Sequence, residues 1–360
     1  MWTLRCFGAG LLLVPLFVSP THSKAQTTAG NLNLAAPTKT AIYSDAITGP
    51  RSAAYFDHGY LIQLQHVTVK SGVSNIFVYD SLGKFVSNEA VLWPENTSSV
   101  WLSYAAVSDG RRLAASGQAH LTGQSVLNFI AIGDLGQSKF TYLDTGEYVA
   151  MQICFGPDGS IWAAGAAPAK RPNSMQEREL GVLRHYSAKG ELLGNYLKQR
   201  AQQTDFHNAW KRDSQIYLRG DHDEIVLFDG VGGHLYRYNL GSNALTTTEI
   251  RPRSESPDDN VTLLTGFGLT QDGRVFASRI GPGPRQSAAR GLYVLQIDAK
   301  SATGTWEPIV GSMLARRDDI VTEPTIGSFL YLLGCEGDEV VYRTQQKVPF
   351  PVMLSWSKMW

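Results

Sequence analysis

The chain has 360 residues, and its 32 Lys and Arg are balanced by 32 Asp and Glu. Net charge therefore selects neither a nucleic acid nor an anionic membrane as partner. Gly at 35 residues and Tyr at 15 suit many short strands and turns rather than long helices.

From the start of the chain, Arg5 precedes an apolar stretch from Phe7 to Val18, and small residues follow at Ser23 and Ala25. This pattern predicts a secretory signal over residues 1–25, cleaved after Ala25. Pro15 interrupts the stretch, which is short for a membrane span. No later stretch is apolar enough to span a bilayer, so the mature protein is expected to be exported, secreted or periplasmic, with no membrane insertion. Residues 26–360 read as one domain. Beyond Cys6, only Cys154 and Cys335 remain. Both lie in apolar strand contexts and are predicted to be buried free thiols, with a single bridge between them as the alternative.

The organising stretch is residues 153–165, Ile-Cys-Phe-Gly-Pro-Asp-Gly-Ser-Ile-Trp-Ala-Ala-Gly, continued at 181–193 by Gly-Val-Leu-Arg-His-Tyr-Ser-Ala-Lys-Gly-Glu-Leu-Leu. Asp158-Gly159 and Lys189-Gly190 separate apolar runs, as hairpin turns that need positive φ do. Four antiparallel strands result. Such a unit cannot bury both its faces alone, and the pattern recurs at Gly59, Gly110, Gly159, Asp223, Gly273 and Asp338, with spacings of 51, 49, 64, 50 and 65 residues. Six units of four strands predict a six-bladed β-propeller, in which radial packing covers both faces of each blade. The last unit runs out near Trp360 after three strands, so residues 31–34, Asn-Leu-Asn-Leu, or their neighbours are expected to supply its outer strand.

The Phe-Gly-Pro-Asp-Gly-Ser-Ile-Trp run and the later Arg-His-Tyr-Ser-Ala-Lys-Gly-Glu-Leu-Leu run resemble the blade repeat of six-bladed propellers of the NHL, gluconolactonase-like and streptogramin-lyase-like group. The resemblance implies architecture over nearly the whole mature chain, and fold does not fix function. Gluconolactonase-like members hold a divalent cation through carboxylates and amides of innermost strands. The innermost strands read here at 103–107, 150–154, 215–218, 263–269 and 326–333 carry no Asp or Glu, which argues against such a cage.

Other catalytic signals are sparse. The eight His form no His-x-His or His-Glu-x-x-His pair, and no Gly-x-Ser-x-Gly elbow occurs. Asp221, His222, Asp223 and Glu224 read as a polar hairpin turn, and Arg219-Gly220-Asp221 as a chance spelling of an adhesion tripeptide. The glycine-rich run at 281–287 lacks a phosphate-loop ending. Asn96 and Asn260 match the glycosylation pattern, which matters only in a eukaryotic secretory pathway. No cofactor or metal is expected.

Loop lengths are asymmetric. Hairpin turns are short, whereas the connections at 166–179, 197–213, 250–261, 279–290 and 309–325 are long and belong to one face of a propeller. They carry 14 basic against 10 acidic residues. Arg171, Phe206, His207, Trp210, Arg212, Arg285 and Arg316 are the candidate ligand-binding residues, as apolar anchors and carboxylate-binding forks. The reading is a binding or interaction module for a protein or small molecule. The alternative is a lactonase-like hydrolase or lyase at the channel mouth, with His207 or His185 as base. A third reading is a structural role in an envelope assembly.

Overall fold

The computed structural model describes residues 32–43, 52–65, 67–68, 74–92, 97–122, 126–166, 182–198, 216–221, 223–230, 232–251, 263–280, 291–309, 330–344 and 352–359. All twenty-five elements named within them are strands. In chain order they are β1 (Lys39–Tyr43), β2 (Ser52–Asp57), β3 (Tyr60–Gln65), β4 (Val67–Thr68), β5 (Ile76–Asp80), β6 (Phe85–Glu89), β7 (Thr97–Val107), β8 (Arg112–Leu121), β9 (Val126–Asp134) and β10 (Phe140–Gly146). Then come β11 (Val149–Phe155), β12 (Ile161–Ala166), β13 (Leu183–Tyr186), β14 (Leu192–Tyr196), β15 (Ile216–Asp221), β16 (Glu224–Asp229), β17 (His234–Asn239) and β18 (Ala244–Arg251). The chain closes with β19 (Leu263–Leu269), β20 (Val275–Ile280), β21 (Gly291–Asp298), β22 (Thr303–Pro308), β23 (Leu330–Glu336), β24 (Glu339–Thr344) and β25 (Val352–Lys358).

The organising stretch folds as read. β11, β12, β13 and β14 form one antiparallel meander, with Cys154 opposite Trp162 and Trp162 opposite His185. Gly159 takes φ +76° and Gly190 φ +91°, values that L side chains rarely adopt, and the Asp158 carboxylate accepts the Ser160 amide at 3.0 Å to close the turn.

The sequence predicts six separate four-stranded sheets; the hydrogen bonds draw five. β2-β3-β5-β6 and β11-β12-β13-β14 have four strands each, and β10-β9-β8-β7-β4 has five, because β4 adds to β7 through Val67 and Thr68. The meanders β15 to β18 and β19 to β22 merge into one eight-stranded sheet. Their outer edges pair in parallel through Glu249 with Thr303, Ile250 with Gly304 and Arg251 with Thr305. An open edge is an unsatisfied row of donors and acceptors, and here two such rows satisfy each other.

The N-terminal closure is present but displaced. β1 at Lys39–Tyr43, rather than residues 31–34, pairs antiparallel with β25, and Leu34 makes only a single bridge to Met359. A strand from the start of the chain thus completes β23-β24-β25.

Apolar cores lie in wedges between neighbouring sheets. Leu218, Leu227 and Tyr236 pack with Trp162 and Leu183, whereas Phe228 and Val226 on the other sheet face pack with Phe267 and Ala277. Period-two alternation of buried residues sends each strand's side chains into two different wedges. The first strands of successive units touch in order, β7 with β11, β11 with β15, β15 with β19 and β19 with β23, and β23 touches β2, whose partner β3 meets β7. The ring is closed and the arrangement is that of a propeller, whose blades surround a central channel. Small residues let these inner strands approach: a Cβ at Gly220 would stand 2.6 Å from the Phe155 carbonyl oxygen, and one at Gly334 would meet the Phe56 carbonyl more closely still.

Candidate functional site

Where inner strands end in their first hairpin turns, two adjoining depressions of about 320 and 350 Å³ open at the mouth of the channel. Both are lined by His58, Asp109, Gly220 and Asp221. Arg112 and Asp158 line the first; Asp57, Arg219, Gln271, Cys335 and Glu336 line the second. All five sheets therefore contribute polar groups to one surface, four of them to each depression.

His58 and Gly59 form the two-residue turn between β2 and β3, with φ +45° and +80°. That backbone is of the kind a tight hairpin requires, and His is among the side chains that tolerate it. The turn sets the His58 Nδ1 2.9 Å from Asp57 Oδ1, while Asp57 Oδ2 accepts the Val107 amide at 3.3 Å. The Asp57 charge raises the His58 pKa to about 9, against the opposing effect of burial, with Asp109 and Asp221 adding to the rise. Burial works to raise the Asp57 carboxyl, and His58, Arg219 and the Val107 amide together outweigh it, so the carboxyl lies below its ordinary range. At neutral pH the pair is an imidazolium and a carboxylate.

Arg219, 9% exposed on β15, fills the channel beneath. It donates to its neighbour Leu218 O at 2.7 Å, to Phe267 O on β19 at 3.2 Å and to Gln152 Oε1 on β11 at 3.4 Å, and its guanidinium lies 5.5 Å from the Tyr104 ring centroid on β7. Its Nε has no partner. Tyr104 stacks on Tyr55 at 4.1 Å, and the Tyr55 hydroxyl accepts the Ala105 amide. One cation thus ties four inner strands together. Arg112 does the same at the rim, donating to Gly159 O at 2.8 Å and Ala188 O at 2.9 Å across both turns of the neighbouring sheet.

The expectations meet this geometry unevenly. Arg171, Phe206, His207, Trp210, Arg212, Arg285 and Arg316 lie outside the described residues, as do residues 1–25, Asn96, Asn260 and the run at 281–287. His185 is not at the channel. It stacks on Trp162 at 4.1 Å within its sheet, and burial, countered by Asp158, lowers its pKa. It is packing, as is Trp162, which also meets Tyr196 and Tyr238. Cys154 and Cys335 are unpaired, and burial raises both thiols, Cys335 to about 12. Arg219 of the Arg-Gly-Asp tripeptide is enclosed, which removes the adhesion reading.

The carboxylates Asp57, Asp221 and Glu336 were missed as inner-strand residues. The inner strands read from sequence do not include β2, and β15 and β23 run on to Asp221 and Glu336 before turning. The signal was the acidic residue at or just before each first turn. Among the described residues no group of three or more His, Cys, Asp or Glu is placed to hold a metal ion.

No protein-family model matches the chain, and no curated protein matches it in sequence. Solved structures do resemble it in fold. A Bacteroides fragilis protein named for its proposed export aligns with a TM-score of 0.50 and 10% identity over 92% of this chain and 96% of its own. The soluble aldose sugar dehydrogenase of Escherichia coli gives 0.43 and 11% over 89% and 99%, and the WD40 repeats of RRP9 give 0.47 and 10% over 91% and 100%. At such identities the likeness extends to fold alone, and the fold of this chain is an all-β, propeller-like ring.

Proposed function

We propose that the protein is an exported six-bladed β-propeller, of the architecture shared by NHL and gluconolactonase-like proteins, that works as a binding module. Each of the six meanders serves as one blade, with the parallel seam between β18 and β22 as an edge contact between two of them. The signal-like residues 1–25 support export. The observation that carries the binding reading is the convergence of turn-end side chains from five sheets on two adjoining polar depressions. Convergent polar groups around a concavity of a few hundred Å³ are what a small-ligand site consists of.

Charge selects the ligand. Five carboxylates, Asp57, Asp109, Asp158, Asp221 and Glu336, line the two depressions against three cations, His58, Arg112 and Arg219. Arg112 and Arg219 already serve backbone carbonyls, and His58 serves Asp57. Lys39 stands 3.8 Å from Glu336, so the carboxylates exceed the cations by one; the surplus is still negative, and the ligand at this mouth is a small polar molecule bearing a positive charge. Calorimetry with arginine, ethanolamine and spermidine tests it. Saturable binding weakened by about tenfold or more in Asp221→Asn/Glu336→Gln supports the reading. Binding that ignores the double substitution, or no binding by any of the three, sinks it.

The long-connection side, with Arg171, Phe206, His207, Trp210, Arg212, Arg285 and Arg316, remains the proposed surface for a larger partner. In the hydrolase or lyase reading, His58 would have to donate a proton rather than accept one, because Asp57 keeps it protonated up to about pH 9. A lactone and ester turnover screen between about pH 6 and 10, with His58→Gln as control, separates that reading from binding alone.

A further inference from the structure

Arg184 on β13 is buried like Arg219, at 4% exposed, but its surroundings differ. Ala163 and Tyr186, which share its face of the sheet, belong to the core that joins the second and third meanders. The guanidinium rests on the ring of Tyr148, in the turn that links those meanders, 3.7 Å from the centroid. Its Nη1 reaches the Tyr186 hydroxyl at 3.4 Å, and its Nε and Nη2 have no hydrogen-bond partner. Among the described residues no carboxylate forms an ion pair with it. Arg219, by contrast, donates to three acceptors and lies near the Asp57 charge.

The neighbours of Arg184 add donors. Asn195 stands opposite it on β14, so the two side chains share a row, and the buried Asn195 Oδ1 has no partner. The two ends of an amide have the same shape, so the turned amide presents Nδ2 and its two N–H groups inward instead. The Tyr186 hydroxyl accepts from Arg184 and keeps its own proton to give. The Ala163 and Val182 carbonyls are engaged by the Tyr148 hydroxyl, at 2.8 and 2.9 Å. Guanidinium, amide and hydroxyl donors thus surround one buried positive charge. A neutral acceptor would satisfy the donors and leave the charge uncompensated, whereas an anion answers both together.

We propose that Arg184, Tyr186 and Asn195 form a buried site for a small monovalent anion of the halide class, chloride above all, which fastens β13 and β14 to the turn at Tyr148. Row neighbours on paired strands stand about 5 Å apart, a gap that one small ion bridges and a phosphate or sulfate does not. A single cation also calls for a single negative charge. None of the three residues lines either depression at the mouth, and the site stands whether or not that mouth binds cations.

The test is thermal unfolding of the mature protein at constant ionic strength, with sodium gluconate replaced stepwise by sodium chloride or bromide. Expected is a saturable rise in melting temperature of about 2 °C or more, absent from Arg184→Met. Asn195→Asp supplies a fixed carboxylate in the anion's place, so it should be as stable in gluconate as the parent is in chloride and respond to neither halide. Leu245→Ala, at an exposed position on another sheet, is the control and should respond as the parent does. Bromide diffused into crystals of the parent should give an anomalous peak beside Arg184 and Asn195, a reading that decides the matter even if Arg184→Met does not fold. No halide response in the parent, a response retained by Arg184→Met or Asn195→Asp, or no bromide at Arg184 overturns the proposal.

Discussion

The two ends of the second meander invite comparison, because one pair of strands serves both. At the turn end, Val107 gives its amide to Asp57 and Arg112 reaches two turns of the next sheet, so each of these contacts joins two sheets. At the far end, Trp101 and Gln118 belong to one sheet, are neutral, and stand toward solvent. A group that joins several blades contributes to folding and to recognition together. A group on a single-sheet ribbon contributes little to the joining of blades. Substitutions near the axis should therefore shift stability first, and those on the ribbon should leave it nearly untouched.

The largest expected effect lies on the axis. Gly334 sits where β23 meets β2, and any Cβ there would press on the Phe56 carbonyl, which is backbone and cannot swing aside. Gly334→Val should destabilise by about 4 kcal/mol or more or prevent accumulation of folded protein, read by urea unfolding. Gly146→Val, on the single-sheet ribbon where nothing lies within 4 Å, is the companion, and its φ of +63° makes it a test of backbone strain without a clash. A wild-type midpoint for Gly334→Val would mean that the ring does not close at this seam.

Next in size is Arg219. Arg219→Met keeps much of the volume but abandons the Phe267 carbonyl and Gln152 and removes the cation near Asp57. A cost of about 3 kcal/mol is expected from the unsatisfied buried groups. A neutral or stabilising outcome would show that packing, not charge, holds the inner strands together.

The Asp57–His58 pair gives a pH signature smaller than either. The folded pKa of His58 is raised, so its stabilisation is fully present below the unfolded value of about 6.5 and is lost as pH rises through about 9. On the order of 2 kcal/mol should disappear between roughly pH 7 and 10, measured as a falling melting temperature. His58→Asn, which tolerates the same left-handed turn, should flatten that slope. A parent protein whose stability does not fall over this window would contradict the pairing.

These expectations show what sequence alone could reach. The repeat was legible because each turn must supply positive φ, which places Gly59, Gly159 and Gly273 at intervals anyone can count. The seam between β18 and β22 was not, because edge pairing depends on how two sheets splay and leaves no pattern in Glu249, Ile250 and Arg251. The displaced closing strand is similar: Asn-Leu-Asn-Leu and Lys39–Tyr43 alternate equally well, and only the register against β25 chooses between them. At the mouth, Asp57 and His58 are the residues that lead into the Gly59 turn, and the sequence offers no further sign of a role. Their adjacency to Asp109, Asp221 and Arg219 is created by ring closure, over separations of fifty residues or more for Asp109 and far more for the others.

The smallest stability effect is the most discriminating for the comparison. The protein has eight Trp, and two of them are described in opposite settings. Trp162 is 1% exposed and stacked on His185, whereas Trp101 is 54% exposed on the ribbon. Trp162→Ala removes a fully buried aromatic and should cost about 3 kcal/mol or more. Trp101→Ala removes a ring that already sees solvent, and the neighbouring amide chain through Gln118, Asn128 and Gly146 persists without it. A change within about 0.5 kcal/mol is expected in urea unfolding. If Trp101→Ala instead cost as much as Trp162→Ala, its ring would be part of the packing, and the contrast between an end of this meander that holds the ring together and an end that does not would fail.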